Sequence, residues 1–156
     1  MKKLFYLSIV LILAFIMCAC GGKKEEEPIE TQETEIPFVT VSVIGEENYS
    51  MDFVYYGYDA FGNFLIEVNC VNNLTDKVLV FSIDRVSVNN YMIDPWWAVE
   101  VTPECISNST IKFDKSELER NGIENITNID FDASVYDSDN LLDDSLYESN
   151  FTLSVN

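Results

Sequence analysis

Apolar residues fall at every second position in Ile129-Asp130-Phe131-Asp132-Ala133-Ser134-Val135 and again in Phe151-Thr152-Leu153-Ser154-Val155. A period of two marks a strand with one face on a core, because successive side chains along an extended chain point to opposite sides. The same alternation, less strictly kept, predicts further strands near 38–44, 51–58, 63–72, 78–90, 96–102 and 107–113. The total is about eight strands, each the length expected of a sheet protein.

Phase along these runs carries further information. Phe64, Ile66, Val68 and Cys70 share one side of their strand and are predicted to face the core. Leu79, Phe81 and Ile83 keep one phase while Val86 and Val88 keep the other, which predicts a bulge near Asp84-Arg85 or a strand passing between sheets. Asp59-Ala60-Phe61-Gly62-Asn63 has the composition of a hairpin connection, and Asn72-Asn73-Leu74-Thr75-Asp76-Lys77 that of a polar turn. One short helix is predicted over 115–121. Asp114 and Glu117 form a capping-box-like start, Leu118 gives an apolar contact, and Asn121-Gly122 supplies a left-handed stop. Many short antiparallel strands, one linking helix and no βαβ pattern predict an all-β sandwich over 38–156.

The N-terminus is of a different kind. Lys2 and Lys3 precede an apolar run from Leu4 to Met17 broken only by Ser8, the basic and apolar regions of an export signal. The run is shorter than the ~20 residues a helix needs to span a bilayer, so residues 1–19 read as a cleaved signal. Met17-Cys18-Ala19-Cys20-Gly21 resembles the bacterial lipobox, with the small residue Ala19 before the cysteine. That resemblance implies that Cys20 is diacylated and becomes the mature N-terminus. Two acyl chains at ~0.8 kcal/mol per buried methylene hold a protein stably to a bilayer where one does not. From Gly21 to Pro37 the chain is rich in Gly, Glu, Thr and Pro and too polar to bury a core, so 20–37 reads as a disordered acidic linker. Its reach is at most about 60 Å.

The layout from Phe64-Leu65-Ile66-Glu67-Val68 through Asn73-Leu74-Thr75-Asp76-Lys77, Val86-Ser87-Val88-Asn89 and Leu118 to Ile129-Asp130-Phe131 resembles the single immunoglobulin-like domain of small lipoproteins from low-GC Gram-positive bacteria. The resemblance covers roughly 38–156 and implies an immunoglobulin-like antiparallel sandwich without catalytic residues to carry over. The usual Gly after Asn89 is here Asn90.

Composition narrows the chemistry. There is no histidine, which excludes Ser-His-Asp and Cys-His catalysis and His-ligated zinc. Formal net charge is −18, and loss of Lys2 and Lys3 with the signal takes it to −20. Such a field opposes nucleic acid and bare anionic lipid as partners. Without the signal and Cys20, only Cys70 and Cys105 remain as thiols, too few for a structural zinc site. Either a Cys70–Cys105 disulfide or a buried free thiol at Cys70, with Cys105 in a turn after Pro103, fits the sequence. Asp137, Asp139, Asp143 and Glu148 fall on positions 1, 3, 7 and 12 of a calcium loop, but Leu141 and Leu142 stand at positions 5 and 6, so the EF-hand pattern fails. An acidic hairpin or a looser carboxylate site remains, and no metal or other cofactor is implied.

Asp94-Pro95-Trp96-Trp97 is the most suggestive local feature. On a strand, Trp97 would join Val99 and Val101 in the core while Trp96 faces outward, available to stack on a sugar or anchor a protein, or else to cover a sheet edge. Tyr49, Phe53, Tyr55, Tyr56, Tyr58 and Phe61 are sufficiently explained by cross-strand packing. The expectation is therefore a non-catalytic binding module. It is lipid-anchored at the extracytoplasmic face of the cell membrane and engages an envelope protein or a polysaccharide. The alternatives are an acidic immunity or inhibitor lipoprotein that binds a basic protein and, further off, a carboxylate-dependent glycan hydrolase.

Overall fold

The structure, a computed structural model, describes residues 40–141 and 144–155, all within one compact unit. The signal, Cys20, the linker, Leu142 and Asp143 lie outside the described residues. Among the described residues nine strands form two antiparallel sheets. The first contains β1 (Val41–Gly45), β2 (Tyr49–Tyr58), β3 (Phe64–Asn72) and β7 (Cys105–Phe113), in that order. The second runs β4 (Leu79–Val88), β8 (Asn128–Asp137), β9 (Tyr147–Ser154). Along the outer edge of β4 lie β5 (Tyr91–Met92) and β6 (Ala98–Val101). The strand that exceeds the predicted eight is β5, too short to register in the alternation.

The chain changes sheet between β3 and β4, between β6 and β7, and between β7 and β8. This is the order of an immunoglobulin-like sandwich, with β3 and β7 in the places of B and E, and β4, β8 and β9 in those of C, F and G. It departs from the constant-domain plan at the D position, where no strand flanks β7 among the described residues.

Inward residues of both sheets meet as the alternation requires. Phe64, Ile66, Val68 and Cys70 of β3 oppose Leu79, Phe81, Ile83, Val86 and Val88 of β4, all buried. The phase change in β4 is a bulge. Asp84 pairs with Asp132 and Ser87 with Asp130, so Arg85 and Val86 together oppose a single residue, and Arg85 takes φ +51°. A second bulge, in β2 between Phe53 and Tyr55, was not apparent from the sequence. It moves the inward phase from Met51 and Phe53 to Tyr56 and Tyr58, which pack against Phe64 at 6.2 and 5.1 Å.

Helix α1 (Lys115–Arg120) crosses from β7 to β8. Its predicted capping box is absent. The Asp114 carboxylate pairs with Lys112 Nζ at 2.7 Å, and the Lys115 N–H donates instead to Asn63 Oδ1 from the β2–β3 hairpin. The charge of Lys112 outcompetes the backbone amides for the carboxylate. The stop forms as predicted, one residue early: Gly122 at φ +70° donates to Glu119 O and Ile123 to Leu118 O, a Schellman motif closed by the buried Leu118–Ile123 pair.

Asn89 and Asn90, at φ +49° and +68°, connect β4 to β5 in a tight turn of the left-handed type that hairpins favour. Asn89 earns its place through its side chain, which donates to Asn125 O and accepts from the N–H and Oγ1 of Thr127. We expect Asn90→Gly to raise stability in urea unfolding by about 0.5–1 kcal/mol, since glycine adopts this conformation without strain. Asn89→Gly is expected to lower it by about 1–2 kcal/mol through the lost hydrogen bonds.

Candidate interaction surface

The edge of β4 is where both regular pairing and burial break down. Ser87 and Val88 pair with β5, and Leu79 to Ser82 pair with β6, but between these stretches the bulge puts Arg85 and Val86 out of register, next to Asp84. The facing chain responds in kind. Ile93 N–H reaches Val86 O at 3.1 Å and Trp97 O accepts from Ile83 N–H at 3.4 Å, while Asp94-Pro95-Trp96 loops outward between them. Asp94 Oδ1 accepts the Trp96 N–H at 2.8 Å, closing a turn that holds Trp96 at φ +43°. A bulky residue in this region is uncommon and is kept there by its surroundings.

Trp96 and Trp97 divide as expected, but for a different reason. Strand β6 begins only at Ala98, so neither tryptophan is on a strand and the left-handed turn, not alternation, sends their side chains apart. Trp97 is 8% exposed, and its Nε1–H donates to Ser109 Oγ of β7 at 3.0 Å, tying the loop to the opposite sheet. Trp96 is 89% exposed, the most open large apolar side chain among the described residues, with Met92 at 70% and Tyr91 at 52% on the same edge. The indole thus stands clear of the protein on a base fixed by Pro95, the Asp94 turn and buried Trp97.

Two shallow clefts adjoin it. One, about 280 Å³, is lined by Ser82, Asp84, Asp94, Trp96 and Trp97 among others. The other, about 310 Å³, by Asp84, Arg85, Met92, Asp94 and Glu117. Arg85 forms no ion pair with either of the two aspartates they share. It reaches across the outer face of the sheet to form ion pairs with Asp132, nearly buried on β8, and with Glu148 on β9. A larger cleft of about 620 Å³ lies against α1. Part of its polar lining is occupied within the fold: Tyr58 Oη accepts the Ile126 N–H, and Lys115 pairs with Glu119. We read it as the seam between helix and sheet.

The remaining sequence candidates separate. Cys70 and Cys105 are free thiols and no bridge joins them. Cys105 opens β7 instead of lying in a turn, and it pairs with Asn72 while Cys70 pairs with Ser107. The two are diagonal neighbours, a separation of about 7–8 Å that exceeds disulfide reach. Burial, with a smaller contribution from Asp52, pushes the Cys70 thiol up to about 12. Peptide-resolved alkylation at neutral pH is therefore expected to modify Cys105 in the native protein and Cys70 only after denaturation.

The carboxylates of the calcium-like pattern are drawn to different cations. Asp137 pairs with Lys77 at 2.8 Å and also accepts the Asp139 N–H, whereas Glu148 faces Arg85; Asp143 lies outside the described residues. The hydrogen bond from Lys77, foremost, holds the Asp137 carboxyl below its usual range. A depressed acid contributes stability above the ordinary carboxylate pKa and loses it as pH falls through the folded value. Lys77→Met frees Asp137 from its cation, so acid unfolding followed by circular dichroism is expected to begin at a higher pH.

Comparison with family models, curated proteins and solved structures returns no match for this chain. Function is therefore argued from the site alone.

Proposed function

We propose that the protein is a membrane-anchored, extracytoplasmic lipoprotein of the small Gram-positive type, and that its sandwich is a non-catalytic binding module that engages an envelope protein or a polysaccharide. The anchor is supported by Lys2 and Lys3, the apolar run to Met17 and the Ala19-Cys20 junction. Cys20→Ser is expected to abolish incorporation of an alkyne-bearing fatty acid and to release the protein from the membrane fraction. An unchanged, membrane-bound and labelled variant would refute lipidation at Cys20.

One observation carries the binding reading: an indole exposed to solvent on a turn held by the Asp94 side chain. Burying apolar surface is favourable at ~25 cal/mol per Å², so a tryptophan held out in water forgoes stabilisation the fold could have had. Trp is also the residue most enriched where a few side chains dominate binding, and its low rotamer freedom keeps the ordering cost small. Placing a photo-crosslinking amino acid at position 96 is expected to trap an envelope component in cells. The same group at Phe61, 81% exposed on the β2–β3 hairpin, serves as control and is expected to trap none. Equal crosslinking from both positions, or none from 96, would remove the assignment of this surface.

A further inference from the structure

Building on that reading, we infer that the Trp96 surface recognises a cationic side chain, lysine or arginine, presented by a basic segment of a partner protein. Several independent features converge on this chemistry. The indole face is an electron-rich platform, and Trp is the strongest of the aromatic side chains for holding a cation. The cleft of about 280 Å³ beneath it, large enough for a guanidinium or ammonium head, carries the carboxylates of both Asp84 and Asp94.

Neither carboxylate has an ion-pair partner among the described residues. Of the five basic residues in the described chain, Lys77, Arg85, Lys112 and Lys115 are paired with Asp137, Asp132 and Glu148, Asp114 and Glu119 respectively, and the fifth, Arg120, ends α1. None of these pairs includes Asp84 or Asp94. Asp94 spends one oxygen on the Trp96 N–H and Asp84 only a long 3.4 Å contact with Ser82 Oγ, so each keeps acceptor capacity toward solvent.

Two carboxylates in one cleft of a chain with net charge −18 repel each other and the rest of the surface. A bound cation relieves that repulsion, whereas a neutral sugar stacked on the same indole would leave it in place. Charge complementarity thus selects a basic protein over a polysaccharide. Met92 and Tyr91, exposed on the adjoining edge, offer apolar cover for the methylene stem of the arriving lysine or arginine.

The test uses the full chain purified in detergent and two fluorescent peptides, octa-arginine and octa-citrulline, which share shape but not charge. Fluorescence anisotropy is expected to show binding of octa-arginine alone. Trp96→Ala, which leaves net charge unchanged, and the double variant Asp84→Asn/Asp94→Asn are each expected to weaken it by about tenfold or more, the effect of losing a cation–π or ion-pair contact. The double variant Glu47→Gln/Glu104→Gln removes the same charge from exposed positions on other loops and is expected to change binding by less than about twofold. Circular dichroism reports that each variant is folded.

Equal losses in the two charge-matched double variants would mean that octa-arginine follows the diffuse acidic field, and the inference would be wrong. Unaltered binding by Trp96→Ala would overturn it as well. If crosslinking at position 96 captures a partner while octa-arginine fails to bind, the binding module stands and its cationic specificity falls. Quenching of tryptophan emission by a neutral oligosaccharide in the original chain but not in Trp96→Ala, with no binding of octa-arginine, would assign the surface to a glycan instead.

Discussion

Asn72→Asp is expected to destabilise the sandwich by more than about 3 kcal/mol, although the substitution changes only an amide to a carboxylate. Asn72 ends β3 and is fully buried. Its Nδ2 donates to Lys77 O at 2.8 Å and to Val101 O at 2.9 Å, and its Oδ1 accepts the Leu74 N–H at 3.0 Å. One side chain therefore closes the β3–β4 loop and ties β3 of the first sheet to the end of β6 on the second. An aspartate keeps the single accepting role but sets a charge against two carbonyl oxygens that have lost their donors. Unpaired buried groups of this kind cost about 1–3 kcal/mol each, more when charged. Asn69→Asp, on the same strand but with its amide in an exposed pair with Asn108, is expected to cost less than about 1 kcal/mol. Urea unfolding of the two variants distinguishes a buried clamp from a general intolerance of negative charge.

Phe131→Ala is expected to cost about 3–5 kcal/mol, the range for truncating a large core side chain that leaves a cavity. Phe131 sits at the middle of β8 and is 1% exposed. Its ring lies 5.5 Å from Phe53 on β2 of the facing sheet and 5.4 Å from Phe151, its cross-strand partner on β9. Removing it deprives both sheets of a shared contact, and close-packed neighbours collapse only partly into the space. Phe151→Ala opens a half-buried position at the sheet edge and is expected to cost clearly less. Equal losses at the two positions in equilibrium unfolding would show that β9 contributes to the core as fully as β8 does.

Much of the architecture follows from local pattern. Ile129 to Val135, Phe151 to Val155 and Phe64 to Cys70 are strands because apolar residues at every second position admit no other regular conformation. The β4 bulge at Asp84-Arg85 was legible because an extra residue must invert phase, and Leu79, Phe81, Ile83 against Val86, Val88 records the inversion. The β2 bulge left no such trace. Tyr55, Tyr56 and Tyr58 are amphipathic, acceptable on either face, so their order carries no phase. The helix stop was readable from Asn121-Gly122, but its start was misread because Asp114 found Lys112 across one residue and Asn63 arrived from a distant hairpin.

The site divides along the same line. Sequence alone placed two adjacent tryptophans after Asp94-Pro95, noted the acidic balance and excluded histidine chemistry. These are properties of residue type and nearest-neighbour order, which no tertiary arrangement can alter. Only the tertiary structure decided that Trp96 stands on a left-handed turn, that Asp84 from the β4 bulge joins Asp94 beneath it, and that Arg85 turns away to Asp132 and Glu148. It also decided that Cys70 and Cys105 remain apart, since a two-residue offset in strand register is set by pairing between segments far apart in the chain. Period and composition are local, whereas register, juxtaposition and the partner each charge obtains depend on how the two sheets come together.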